Sequence, residues 1–136
     1  MDATVIGELP DTVGHAMRYW RERGCKLDCR GPLTIHPESN WGFFVTVITR
    51  SHDIASGTWK KGVDRPVVVE SNVWIGSGSL LYDCIIREGA IVAAGSVVCS
   101  CEVGPRVIVA GNPAKVVARW QGYGWLWEAS KWRVLS

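Results

Sequence analysis

The sequence shows no long apolar run, no basic stripe and no signal-peptide pattern in its first residues, and each of these observations argues against a class of protein. No apolar stretch approaches the roughly 20 residues that a membrane-spanning helix needs. The formal net charge of the 136 residues is only +2, without a visible strip of Lys and Arg, which argues against nucleic-acid binding. The first residues, MDATVIGELPDT, have neither the basic start nor the apolar centre of a signal peptide. We therefore expect one cytoplasmic domain with its own core.

Cysteine and histidine are too few and too scattered for a metal site or a disulfide framework. The five cysteines are odd in number and come without a secretory context, so disulfides are not expected. Neither Cys99-x-Cys101 nor Cys25-x3-Cys29 is accompanied by a further Cys or His pair at zinc spacing. We interpret the cysteines as small apolar fillers and expect no metal.

A period of six dominates the middle of the sequence. From residue 63 to residue 98 an aliphatic residue recurs at steps of 6, 6, 6, 5, 6 and 6, and a small or short residue stands two positions before most of these sites. The aliphatic positions are Val63, Val69, Ile75, Leu81, Ile86, Val92 and Val98. The same frame extends backward through Val47, Trp41, Ile35 and Cys29. This period predicts a parallel β-solenoid, in which three six-residue faces close one triangular coil around an aliphatic interior.

The two ends of the solenoid are expected to carry short helices. Asp11-Thr12 is a good helix N-cap and Gly24 a good stop, so the segment between them predicts an amphipathic helix over the N-terminal end. At the other end, AKVVARWQ follows the turn residues 111–113 and predicts a second short helix. We expect a helical cap at 1–24, a β-helix at 25–110 with a protruding loop at 53–62, and a turn, helix and Trp-rich tail at 111–136.

The Trp-rich tail has two interpretations. Trp125, Trp127 and Trp132 are interleaved with Lys131 and Arg133, a composition that suits a membrane surface. No long amphipathic face is visible, however. We therefore favour packing of the tail against the solenoid or a neighbouring subunit.

Four segments resemble the hexapeptide-repeat acyltransferases, and the sugar O-acetyltransferases among them most. They are TRSHD at 49–53, SNVWIGSG at 71–78, AAGSVV at 93–98 and VAGNPAKVVARW at 109–120. The resemblance covers roughly residues 25–120 and implies an all-β fold, the left-handed parallel β-helix. One departure is the five-residue step at Tyr82-Asp83-Cys84, where the family commonly has a Pro-Gly corner and one more residue.

Among the three histidines, His52 is the candidate catalytic residue. It stands at an outward position of its hexad, at the edge of the loop that interrupts the repeat, and it matches the family's catalytic histidine. Imidazole titrates near neutral pH, so it can take a proton from a hydroxyl that attacks a thioester. Either Asp53 or a backbone carbonyl would orient the ring. If the loop adds only four residues to an 18-residue coil, Trp74 stacks on the same face one coil above His52.

The resemblance implies acetyl-CoA as the acyl donor. Trp74 and the backbone around Ala94, Gly95 and Ser96 match family positions that line the pantetheine arm. Lys115 and Arg119 follow the Gly-Asn-Pro turn, and their charges suit the phosphates at the nucleotide end. Family members are usually trimers with CoA between adjacent solenoids, so a homotrimer with shared sites is implied.

The acceptor is expected to be a hydroxyl of a sugar or surface-polysaccharide precursor. His36, Asn40 and Asp53 are candidate acceptor-binding residues, since they point outward or lie beside the loop. An N-acetyltransferase or a xenobiotic acetyltransferase of the same superfamily is the alternative. A non-catalytic solenoid scaffold also stays open. A γ-class carbonic anhydrase would need three convergent histidines, which the gaps of 21 and 16 residues disfavour.

Overall fold

The computed structural model describes residues 5–7 and 17–128, with side chains described over 18–128. Over these residues there is one helix, α1, at Met17–Glu22. The strands are β1 Val5–Gly7, β2 Lys26–Cys29, β3 Leu33–Ile35, β4 Asn40–Trp41, β5 Thr46–Ile48, β6 Arg50–His52, β7 Gly62–Asp64, β8 Val67–Val69, β9 Trp74–Ile75, β10 Leu80–Ile86, β11 Ile91–Val92, β12 Val97–Val103, β13 Val107–Gly111, β14 Ala114–Trp120 and β15 Trp125–Trp127.

Most of the strands lie on three faces of a coil, and strands in successive coils pair in parallel. Face A holds β2, β5 and the first halves of β10 and β12. Face B holds β3, β8 and the second halves of β10 and β12. Face C holds β4, β9, β11 and β13. We name the turns between them corners A–B, B–C and C–A, in chain order. The predicted parallel solenoid is confirmed.

The six-residue period is the period of the core. Ile75, Leu81, Ile86, Val92 and Val98 are all fully buried, as the frame predicts. The short residues that precede the aliphatic positions are also buried, namely Val73, Ser79, Ala90 and Ser96. Each buried aliphatic side chain contributes roughly 1.5–3 kcal/mol relative to exposure. The stacked aliphatic columns are therefore the main source of stability.

The five-residue step is absorbed at corner A–B. Asp83 takes a left-handed conformation with φ 49°, and Ser100, at the same corner one coil later, has φ 51°. One residue in the left-handed conformation turns the chain sharply, so the corner needs fewer residues. Asp tolerates that conformation better than most residues. Ile86 consequently pairs with Val69, 17 positions earlier, and with Val103, 17 positions later. The coil loses one residue while the core register is kept.

Val63 does not occupy an interior position of the solenoid, so that part of the predicted frame is wrong. It lies in β7, which pairs antiparallel with β6 in a two-stranded hairpin outside the coils. The Arg65 amide donates to the Thr49 carbonyl at 2.7 Å and closes the base of this hairpin. The coils resume at Val67, which is buried and pairs with Leu33. The hexad spacing of Val63 is a coincidence of hairpin length.

Helix α1 packs on the first coil through aromatic residues. Trp20 is buried and meets Trp41 edge to face, with ring centroids 6.0 Å apart. The Tyr19 hydroxyl accepts the Trp41 amide at 2.7 Å and donates to the Trp41 carbonyl at 3.1 Å. These contacts agree with a cap on the N-terminal coil. The predicted start at Asp11-Thr12 lies outside the described residues. Among residues 5–7 and 17–128, no helix has the length and apolar character to cross a membrane.

The C-terminal helix predicted for AKVVARWQ is wrong, because this segment is a strand. β14 pairs antiparallel with β13, and β15 pairs antiparallel with β14. Ala118 is fully buried and Val116 packs against the core, so an extended segment covers apolar surface there. Strand formation also pairs the backbone edge that β13 would otherwise expose. Trp125 and Trp127 belong to β15, whereas Lys131, Trp132 and Arg133 lie outside the described residues.

Candidate active site

His52 ends β6 on the hairpin that leaves the solenoid at corner A–B. Its partner across the hairpin is Gly62, and its side chain is exposed. Between the two strands, the loop side chains from Ile54 to Lys61 are exposed as well. The imidazole is therefore accessible to a ligand, and in the part of the chain that the structure describes no hydrogen bond occupies its ring.

A cavity of about 320 Å³ adjoins His52. Its lining residues are Arg30, Arg50, Ser51, His52 and Gly62. The volume falls at the lower end of the roughly 300–1,000 Å³ typical of small-molecule sites. Sequence reasoning missed both arginines. Arg50 carried a usable signal, because a residue two positions before His52 on a strand shares its side. Arg30 carried none, because only the stacking of coils brings it there.

A buried carboxylate organises the base of this cavity. Asp28 is almost fully buried and accepts the Arg30 guanidinium through Nε at 2.8 Å and Nη2 at 3.0 Å. It also accepts the amides of Arg30 and Thr49, each at 3.1 Å. Burial by itself would raise the pKa of Asp28, but the hydrogen bonds from Arg30 and Thr49 outweigh it and lower the pKa to about 2. Asp28 is therefore an anion that fixes the position of Arg30.

Asp53 does not contact the His52 ring by any hydrogen bond that the structure shows. Its carboxylate accepts the Ala55 amide at 3.0 Å, which is a turn-forming bond within the loop. Asp53 is thus placed to shape the loop, and of the two groups predicted to orient the imidazole the backbone carbonyl is left.

His36 and Asn40 lie elsewhere on the coil. His36 follows β3 at corner B–C, where its Nδ1 accepts the Glu38 amide at 3.1 Å. Asn40 begins β4 on face C. Both are exposed, but face B separates them from the hairpin. The structure therefore does not bring them together with His52, and it places no three His, Cys, Asp or Glu side chains suitably for a metal within the described ranges.

Four of the six predicted donor residues lie at or near corner C–A: Ala94, Gly95, Ser96 and Lys115. Ala94, Gly95 and Ser96 form the turn from face C to face A, and the Gly95 amide donates to the Ser77 carbonyl at 2.8 Å. Gly95 has φ 71° with open space around its Cα, so a ligand can approach the backbone. Lys115 pairs with Ala110, on the strand next to this corner.

Trp74 is on face C and does not stack on His52, so that expectation is wrong. It pairs with Asn40 on one side and Ile91 on the other, and its side chain is 54% exposed. The cause is the hairpin, which consumes far more chain than the four residues assumed. Val47 pairs with Leu81, 34 positions later, where an ordinary coil in this chain takes 17.

Lys115 and Arg119 occupy opposite ends of β14. Lys115 is exposed near corner C–A, whereas Arg119 pairs with Val107 at the B–C end of face C. Arg119 Nε lies 3.0 Å from Glu128 Oε1, so its charge has an acidic partner. The two cations therefore do not form one cluster, and Lys115 is the one near the donor turn.

The predicted base and the predicted donor-turn residues occupy different corners of one chain. His52 projects from corner A–B and Ala94–Ser96 form corner C–A, with the full width of face A between them. A single chain thus does not bring the predicted base and the predicted donor turn together.

Relatives found by sequence are acetyltransferases. A Saccharomyces cerevisiae protein described as an acetyltransferase is 36% identical over 78 residues, which is 55% of this chain and 39% of that protein. A 2,3,4,5-tetrahydropyridine-2,6-dicarboxylate N-acetyltransferase of Clostridium perfringens is 35% identical over 65 residues, 47% of this chain and 27% of that protein. The chain thus spans less than half the length of these relatives. No protein-family model matches it.

Two solved structures with a similar fold are also acetyltransferases. A maltose O-acetyltransferase of Clostridium difficile has a TM-score of 0.58 at 27% identity, covering 68% of this chain and 48% of that one. A hexapeptide-repeat acetyltransferase of Vibrio cholerae, solved in complex with acetyl-CoA, has a TM-score of 0.55 at 28% identity, covering 63% and 48%. These neighbours are left-handed β-helices. The left-handed parallel β-helix and the resemblance to hexapeptide-repeat acetyltransferases are both confirmed.

Proposed function

We propose that this protein is an acetyl-CoA-dependent acetyltransferase that moves the acetyl group to a hydroxyl of a sugar or surface-polysaccharide precursor. The observation that carries the proposal is an exposed imidazole, His52, beside a cavity of small-ligand size on this fold. The fold neighbour that holds acetyl-CoA supports the choice of donor.

The chemistry needs one general base and no covalent enzyme intermediate. A ring nitrogen of His52 takes the proton of the acceptor hydroxyl while that oxygen attacks the thioester carbonyl. The tetrahedral adduct then collapses, the carbon–sulfur bond breaks, and the proton passes from the imidazolium to the departing thiolate. A positioned acid–base group of this kind contributes about 10²–10⁴-fold in rate. We propose no metal in this step.

The donor is proposed to bind along corner C–A. The extended pantetheine arm would lie against Trp74 and the open backbone of Ala94–Ser96, where Gly95 permits close approach. Lys115 stands near the same corner and would meet the phosphates. Arg119 is a weaker candidate for that role, because Glu128 already neutralises part of its charge.

The separation of the predicted base from the predicted donor turn supports a shared site between copies of the chain. We propose a homotrimer in which the hairpin of one subunit meets corner C–A of its neighbour across face A. The outward side of face A suits such packing, since Ile48, Leu80, Tyr82 and Val97 are apolar or aromatic and only partly buried. A cytoplasmic location, expected from the sequence, belongs to the same proposal.

N-acetylation is the second candidate, because relatives named N-acetyltransferases match this chain at a level similar to the others. The same base would serve an amine acceptor, and loop 53–62 would select between a hydroxyl and an amine.

Acetyl-CoA binding and turnover test the proposal together. A thermal-shift titration should show stabilisation by acetyl-CoA, because a ligand that binds only the folded state raises its stability. Thiol release should then follow addition of sugar hydroxyl acceptors. Amino sugars are tested in parallel as acceptors. Faster turnover with amino sugars than with hydroxyl acceptors would favour N-acetylation. No stabilisation by acetyl-CoA would contradict it and favour a non-catalytic scaffold.

A further inference from the structure

The cavity beside His52 carries more positive charge at its wall than proton transfer requires. Two of its lining residues, Arg30 and Arg50, are guanidinium cations, and the remaining lining residues are Ser51, Gly62 and His52 itself. Base catalysis at a neutral hydroxyl uses the imidazole alone. The arginines therefore need an explanation of their own.

Arg30 is held so that one end of its guanidinium stays free. Its Nε and Nη2 form the two-point bond to Asp28, while Asp28 is fixed in turn by the Thr49 amide. The Thr49 hydroxyl donates to the Asp28 carbonyl at 2.8 Å and accepts the Gly31 amide at 2.9 Å, which ties this turn to the coil above it. The Nη1 end has no protein partner among the described residues. A guanidinium with a fixed orientation loses little freedom when it binds an anion.

Arg50 is positioned by a glycine and is loosely paired. A Cβ at residue 62 would collide with the Arg50 guanidinium, so Gly62 provides the space that this side chain occupies across the hairpin. Arg50 Nε lies 3.6 Å from Asp64 Oδ1, which is too long for a hydrogen bond. Neither Nη group makes a hydrogen bond in the part of the chain that the structure describes.

The acidic partners lie outside the cavity wall. Asp28 is buried beneath Arg30, and neither Asp28 nor Asp64 lines the cavity. A ligand in the cavity therefore meets N–H donors of two cations without a facing carboxylate. Planar guanidinium groups bind carboxylate and phosphate oxygens through paired, charge-assisted hydrogen bonds.

We propose that the acceptor carries an anionic group, a carboxylate or a phosphate, that Arg30 and Arg50 bind while His52 faces the acceptor hydroxyl. This inference rests on the proposed function, since it names the class of acceptor for the same site. Arg50 is the specificity-determining residue, Arg30 is the second anion contact, and Asp28 is a positioning residue that acts through Arg30.

Direct binding measurements test the inference without acetyl transfer. Glucuronic acid, glucose 6-phosphate and glucose share a hexose ring and differ in charge, so their dissociation constants can be compared by titration calorimetry or NMR. We expect at least one anionic sugar to bind about tenfold or more tightly than glucose, with a preference that weakens as salt increases. A preference for glucuronic acid identifies a carboxylate acceptor, and a preference for glucose 6-phosphate identifies a phosphate acceptor.

Variants that remove or displace the Arg50 side chain test whether it causes the preference for anionic sugars. Arg50→Ala should reduce anionic-sugar binding about tenfold and change glucose binding far less, because Arg50 is half-buried and is not part of the hydrophobic core. Gly62→Ala keeps both arginines but displaces the Arg50 guanidinium, so it should act in the same direction. Arg18→Ala is the matched control: it removes one Arg from the exposed face of α1, where the side chain pairs with Glu22.

Equal binding of glucose and both anionic sugars by the wild type would overturn the inference, as would unchanged binding in Arg50→Ala. Efficient acetylation of neutral sugars in either case would leave the acetyltransferase proposal standing. Failure of acetyl-CoA to bind the wild type would overturn the acetyltransferase proposal instead, whatever the sugar titrations show.

Discussion

Corner C–A and the hairpin at corner A–B are built in opposite ways. At corner C–A each turn is bonded to the turn one coil below: the Gly78 amide donates to the Phe43 carbonyl and the Gly95 amide to the Ser77 carbonyl, each at 2.8 Å. The hairpin has two short strands that pair only with each other, and an exposed loop. Regular stacking makes a rigid, repetitive surface suited to an extended donor. The excursion is free of the repeat and can carry a base and an acceptor-specific cavity.

The first prediction tests whether the hairpin carries the catalytic base. His52→Ala should lower turnover by about 10²–10⁴-fold, because a positioned proton acceptor is lost. The fold and acetyl-CoA binding should persist, since the side chain is exposed and the corner proposed for the donor, C–A, lies across face A. Steady-state thiol release with saturating acetyl-CoA and circular dichroism provide the measurements.

His36→Ala is the control for that experiment, because it removes an exposed histidine at a different corner of the coil. It should retain nearly full turnover. If His52→Ala keeps more than about a tenth of the wild-type rate while His36→Ala does not, the base has been assigned to the wrong residue.

Stability should reside in the coils and not in the hairpin. Leu81→Ala should lower the free energy of unfolding by about 2–5 kcal/mol, because it leaves a cavity in a fully buried column between Val47 and Val98. Ile54→Ala, on the exposed loop, should change it by less than about 0.5 kcal/mol. Urea unfolding followed by circular dichroism compares the two. Similar losses would show that the hairpin is part of the cooperative core.

Asp28 is buried in the coil and accepts the amide of Thr49, the residue just before the hairpin, so its ionisation should make this junction sensitive to acid. Its pKa is about 2 in the folded protein, below its ordinary value of 3.8, so the anion favours the folded state. That contribution, about 2 kcal/mol, is complete above pH 4 to 5 and is lost as the pH falls toward 2. The stability difference between the wild type and Asp28→Asn should therefore shrink between pH 6 and pH 2.5 in urea titrations.

Asp64→Asn is the comparison for the acid effect, because Asp64 is exposed and only distantly paired with Arg50. Its effect should be small at both pH values. A stability difference for Asp28→Asn that stays constant with pH would mean that the buried carboxylate is not ionised in the way its hydrogen bonds indicate.

Acetyl-CoA binding at corner C–A, the corner proposed for the donor, is expected to change little when a single charge is removed. Lys115→Ala should raise the KM for acetyl-CoA about two- to fivefold at low salt, the effect of one exposed ionic contact, with kcat unchanged. Arg119→Ala should do less, since Glu128 already pairs with Arg119. Initial rates at varied acetyl-CoA concentration check both. A larger effect of Arg119→Ala would move the phosphate site to the other end of β14.

The sequence predicted the solenoid because a hexad frame constrains every coil in the same way. Ile75, Leu81 and Val92 could be assigned to the interior from spacing alone, since each must fill the same slot. The hexad frame failed at Val63, where the length of the hairpin happened to match a hexad, and the helix prediction failed at residues 114–120. In both places backbone pairing determined the structure: the segment with Val63 pairs with β6, and residues 114–120 pair with β13.

In the candidate site, too, local spacing predicted some features and only the tertiary structure determined others. The sequence by itself determined that His52 stands at a break in the repeat, because a break is a local property of spacing. Only the tertiary structure decided that Trp74 faces Asn40 and not His52, because the register across the hairpin depends on how many residues the excursion consumes. It also decided that Arg30 and Arg50 share a cavity with His52, because stacking of one coil on another joins residues that are distant along the chain.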